Sequence, residues 1–122
     1  MQKFASVLVG LIAVVHVYIL VLEMFLWNTP RGHAAFGTTP EFAAASATLA
    51  ANQGLYNGFL AAGLFWGLFG RAELRRPVRI FFLLCVLVAG LYGGATAKTS
   101  ILFVQAVPAA LGLGAVLLAK RE

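Results

Sequence analysis

Residues 4–27 read FASVLVGLIAVVHVYILVLEMFLW, an apolar stretch broken only by His16 and Glu23. A helix crosses the hydrocarbon core of a bilayer in about 20 residues, so this stretch is long enough to span it. No charge occurs over the 19 residues from Phe4 to Leu22. The apolar region of a signal peptide is shorter, about 7–15 residues. The small-residue run Ala43-Ala44-Ala45-Ser46-Ala47 lies too far downstream to serve as its cleavage site. The expectation is a first span that is retained, with Trp27 as an interfacial aromatic.

The same pattern repeats along the chain. Asn28-Thr29-Pro30-Arg31-Gly32 carries turn residues that stop the first helix, and residues 28–39 form the longest connection. Thr38-Thr39-Pro40-Glu41 reads as a helix start, with proline at the first helical position and an acid in the first turn. The 30 residues from Pro40 to Phe69 exceed one span, so the membrane-embedded part is expected from about Thr48. Gly70-Arg71-Ala72-Glu73-Leu74-Arg75-Arg76-Pro77 is a polar break, Lys98-Thr99-Ser100 a tight turn, and Pro108 a kink. The predicted architecture is an all-α integral membrane four-helix bundle in one domain, residues 1–122. Its spans fall at about 4–27, 48–69, 78–97 and 101–119.

Composition agrees. Of the 122 residues, 61% are hydrophobic and 11% charged, and the mean hydropathy is +0.92. A soluble domain carries roughly 25% charged residues, so lipid is the natural solvent and the expected location is the cell membrane, crossed several times. The net charge of +5 does not point to nucleic acid, because the basic residues flank the apolar stretches. Seven of them (Lys3, Arg71, Arg75, Arg76, Arg79, Lys120 and Arg121) fall on one side of the alternating topology, and only Arg31 and Lys98 on the other. Both termini are therefore expected in the cytoplasm. Small multidrug exporters are similar in length and carry a first-span glutamate, but their antiparallel dimers need nearly balanced loop charges. Cys85 is the only cysteine, and no Cys/His spacing suggests a metal.

Candidate chemistry centres on Glu23, the only carboxylate inside a span. A charge in hydrocarbon is costly, so an intramembrane acid is a functional-site candidate by default. Asn52, Gln53 and Asn57 of the second span and Gln105 of the fourth are expected at comparable depth in the outer half of the membrane. These amides form either an interhelical hydrogen-bond network or the polar lining of a small pocket. His16, two turns from Glu23 on nearly the same face, is a candidate acid–base partner or proton path, and Tyr18 and Tyr56 can add hydroxyls. Gly54-x-x-x-Gly58 and Gly63-x-x-x-Gly67 permit close helix approach. Gly90, Gly93 and Gly94 are candidate receivers within the chain, and a homodimer is the alternative.

His16-Val17-Tyr18-Ile19, Leu22-Glu23-Met24-Phe25-Leu26-Trp27, Thr29-Pro30-Arg31-Gly32, Phe36-Gly37 and Ala51-Asn52-Gln53-Gly54-Leu55-Tyr56-Asn57-Gly58 resemble the small membrane proteins grouped as domain of unknown function 1304. The resemblance covers essentially the whole chain. It implies a four-helix membrane protein and carries no established activity or catalytic residues.

Three readings follow. The first is a protein that binds or translocates a small molecule through an outer-half polar pocket, with Glu23 as its charge-changing group. The second is a cofactor-free membrane enzyme of isomerase or hydrolase type, in which Glu23 acts as acid or base on a lipophilic substrate. The third is a structural membrane subunit. The apolar inner halves, Leu60–Phe69 and Ile80–Val88, weigh against a polar path continuing through the membrane. No metal, haem, flavin or nucleotide is expected.

Overall fold

The computed structural model describes residues 1–120, so Arg121 of the charge count lies outside the described residues. The fold is all-α, with no strand among the described residues. The helices are α1 (Gln2–Met24), α2 (Pro30–Phe36), α3 (Pro40–Phe69), α4 (Ala72–Thr96) and α5 (Val107–Leu118), the last preceded by a π-helical turn, Leu102–Ala106. Two of them, α1 and α4, are long and apolar enough to cross a membrane, and Leu102–Leu118 is a shorter apolar helix.

Two helix boundaries and one whole helix differ from the sequence reading. The helix predicted to run to Trp27 ends at Met24, where the N–H groups of Phe25 and Leu26 both turn back to Val21 O. The expected connection then holds α2. Thr29 is its N-cap and accepts from Gly32 N at 3.3 Å, Pro30 takes its first position, and Gly37 closes it at φ 67°. Thr29 and Pro30, read as part of a turn, are the N-cap and the first position of a short helix. α4 starts at Ala72 and carries Pro77 inside it. Ala72 to Arg76 are mostly strong helix formers, and a proline this near the N-terminus removes only one intrahelical bond.

The chain divides into two compact units. Unit 1 comprises residues 1–13 and 60–122, and its core is Ala5, Val9, Ile12, Leu64, Leu83, Val86 and Ala109 with their neighbours. Close backbone approach builds its helix contacts. An added Cβ at Gly90 would meet Ala106 N at 2.5 Å, and one at Gly94 would collide with the Leu102 side chain. Thus Gly90, Gly93 and Gly94, candidate receivers of the α3 glycines, instead receive the segment beginning at Ile101. Gly63 abuts Phe82 and Gly67 abuts Arg79, so this second glycine pair packs on α4. Pro108 acts through what precedes it. It lacks an N–H for the usual bond to Val104, and the turn before it is π-helical, with Val107 N donating to Leu102 O.

Unit 2, residues 14–59, holds the C-terminal part of α1, all of α2 and the N-terminal part of α3. Its buried stripe on α3 is Ala43, Ala50, Gly54 and Asn57, at helical spacing. The Gly54-x-x-x-Gly58 pair packs on α1. A Cβ at Gly54 would meet Met24 Cγ at 2.7 Å and Leu20 O at 3.2 Å, and one at Gly58 would meet Leu20 Cδ1 at 2.6 Å. Around α2, Trp27 Nε1 donates to Ser46 Oγ at 3.1 Å, and the Trp27 ring lies 4.9 Å from that of Phe36.

Candidate functional site

Helix α1 places Glu23 on the face that meets the glycine pair of α3. With no side chain at Gly54, the two backbones approach closely enough for Asn57 to reach the acid. Asn57 Nδ2 donates to Glu23 Oε1 at 2.6 Å, and both residues are buried. The bond is short for N–H···O, in the manner of a charge-assisted pair. The same amide nitrogen donates to Gln53 O at 3.2 Å, so both of its hydrogens are committed and the side chain is held in one orientation.

His16 is fully buried on the same face of α1. Seven residues of helix separate it from Glu23, about 10 Å of rise. Leu20 lies between them and packs its Cδ1 on Gly58. The two ionisable groups are stacked in one column with an apolar side chain interposed.

Within unit 2, the other amides and the tyrosines of the sequence reading do not join the Glu23–Asn57 bond. Asn52 and Gln53 are exposed on α3 and lie off the buried stripe. Tyr56 is exposed, with its ring 6.0 Å from Phe59. Gln105 belongs to unit 1, half-buried on the π-helical turn with its stem against Gly90. Tyr18 is engaged by a residue the sequence reading passed over. Arg31 Nε donates to the Tyr18 hydroxyl at 2.6 Å, and the Arg31 guanidinium carbon lies 5.4 Å from the centre of the Tyr18 ring. No periodic signal links positions 13 apart across a loop, so nothing in the sequence pointed to this pair. Among the described residues there is no group of three His, Cys, Asp or Glu side chains able to hold a metal ion.

Residues 10–117 match the family described as "Protein of unknown function (DUF1304)", and the chain belongs to that family. The uncharacterized protein YpaA of Lactococcus lactis subsp. lactis (strain IL1403) is 33% identical over 105 residues, covering 84% of this chain and 87% of its own length. No solved structure matches.

Proposed function

We propose that this chain is a four-span membrane protein with both termini cytoplasmic, and that it binds or translocates a small cationic molecule at Glu23. The apolar exterior supports the spans. Large hydrophobic side chains stay exposed on every long helical stretch: Val7 and Leu11 on α1, Phe59 and Trp66 on α3, Leu84 and Val88 on α4, Phe103 and Leu111 beyond them. A water-soluble protein of this size does not expose so much apolar surface. The charge asymmetry in the sequence supports the orientation.

The single observation that carries the site is the Glu23–Asn57 pair. Its donor is a neutral amide, which positions the carboxylate without cancelling its charge. A carboxylate so placed in an apolar setting attracts a proton or a lipophilic cation, and the two compete for it. The glycine contacts at Gly54 and Gly58 bring α1 and α3 close, so admitting a guest requires these two segments of unit 2 to part.

Tetraphenylphosphonium, a lipophilic cation, is the probe. The native protein in detergent should bind it in equilibrium dialysis, with affinity falling as protons compete. Glu23→Gln keeps the shape and an acceptor for Asn57 but removes the charge, and should abolish binding while the protein stays folded. Equal binding by folded native and Glu23→Gln proteins, or no binding by the native protein, overturns the reading.

A further inference from the structure

Unit 1 contains a second polar feature, which does not depend on Glu23. A cleft is lined by Gln2 of α1, by Arg75, Arg76 and Arg79 of α4, and by Lys120 after α5. Its walls are tied together. Gln2 Nε2 donates to Lys120 O at 2.5 Å, and Arg76 Nη1 donates to Val116 O at 2.9 Å and Ala119 O at 3.1 Å. Arg76 thereby caps the carbonyl end of α5, where a cation is favoured. Arg79 is buried, with Nε donating to Gly67 O at 2.6 Å, and Arg75 Nε donates to Gly70 O at 2.8 Å.

Every acceptor just named is a neutral carbonyl. Such bonds fix guanidinium groups in place without cancelling charge, and Arg75 and Arg79 each engage in a further interaction. Four cations line the cleft, Arg75, Arg76, Arg79 and Lys120, and the sequence of this unit holds two acidic side chains, Glu73 and Glu122. Glu73 is 59% exposed and bonded to Arg71 at 2.6 Å. Two acids cannot neutralise four cations, so whichever of them they pair with, the cleft keeps a surplus of positive charge.

We infer that the cleft formed by Gln2, Arg75, Arg76, Arg79 and Lys120 binds a phosphate oxyanion, supplied by the headgroup of an anionic phospholipid. Arginine suits this chemistry because its planar fork matches phosphate oxygens in pairs. A basic pocket between helix ends at a membrane face is the setting in which such headgroups bind. Under the proposed topology the lipid would belong to the cytoplasmic leaflet. The site joins the start of α1, the start of α4 and the end of α5, so an occupant would brace all three.

The full chain in dodecyl maltoside, titrated with phosphatidylglycerol or phosphatidylcholine, tests this by native mass spectrometry and thermal melting. Phosphatidylglycerol should be retained and should raise the melting temperature more than phosphatidylcholine does. Each removed cation should weaken that binding about fivefold. Arg75→Gln with Lys120→Gln should therefore cost about 25-fold, and Lys120→Gln alone, which spares every arginine bond, about fivefold. Lys98→Gln, near the opposite end of α4, should leave binding unchanged. Inorganic phosphate that stabilises the protein alone and displaces the lipid would support the oxyanion site and shift its source to free phosphate. Equal effects of the two lipids without any effect of phosphate, or equal weakening by Lys98→Gln and Lys120→Gln, would overturn it.

Discussion

The Glu23–Asn57 bond can be measured as a coupling energy. Asn57→Leu leaves the carboxyl of Glu23, a residue only 7% exposed, without its donor, and stranding a buried polar group costs about 1–3 kcal/mol, more for a charged one. Glu23→Leu strands less, because the Asn57 amide retains its 3.2 Å bond to Gln53 O. Replacing both partners by apolar groups of similar shape is close to neutral, so the double variant should recover much of the loss. The expected coupling is about 1.5–3 kcal/mol if Glu23 is ionised. Neutral side-chain hydrogen bonds between membrane helices average about 0.6 kcal/mol, so the value also reports the charge state of the acid. Glu23→Gln retains a carbonyl acceptor and should stay within about 1 kcal/mol of the native protein. Reversible unfolding by dodecyl sulfate in mixed micelles gives the four free energies of the cycle. Losses from the two leucine variants that simply add, within about 0.3–0.5 kcal/mol, would refute the pairing.

Three further outcomes follow from local geometry. Gly54→Ala sets a Cβ 3.2 Å from the backbone oxygen of Leu20, whereas at Gly58 the obstacle is the mobile end of the Leu20 side chain. Gly54→Ala should thus lose about 1–3 kcal/mol and Gly58→Ala distinctly less, both read by the same unfolding titration. Tyr18→Phe removes the acceptor of Arg31 Nε but keeps the ring beneath the guanidinium, costing about 0.5–1.5 kcal/mol, while Arg31→Ala removes both contacts and should cost more in thermal melting. For the topology, cysteines introduced at Ala35 and at Glu73 in a Cys85→Ser background should react with a membrane-impermeant maleimide from outside and from inside the cell, respectively; the reverse pattern would invert the orientation.

The helical character of the chain was legible because long apolar runs admit few alternatives in lipid, and the start of α3 because Pro40 and Glu41 are unambiguous signals. α2 was missed because Thr29 and Pro30 mean both "stop" and "cap", and only the backbone geometry separates the two. At the site, sequence placed Gln53 and Asn57 on one helix face. Burial splits them, because the stripe through Ala50, Gly54 and Asn57 is narrow and Gln53 falls on its edge. Depth was taken as the criterion that united the amides. Proximity also needs each side chain to point at the same neighbour, and periodicity alone does not supply that.

The two glycine pairs of α3 show how its helix contacts are made. Between apolar helices in lipid there is no hydrophobic gain from association, so close van der Waals contact and buried polar bonds carry the packing. Gly63 and Gly67 serve the packing of unit 1, against Phe82 and Arg79. Gly54 and Gly58 do the same in unit 2, but against the segment of α1 that bears Leu20 and Glu23. An acid is thus held at a seam closed by absent side chains and fastened by one amide. If packing were the seam's whole purpose, a pair of apolar side chains would serve as well and spare the cost of burying a carboxyl. Under the proposed function the carboxyl has a reason to be there, because the seam opens and its charge meets the cation that enters.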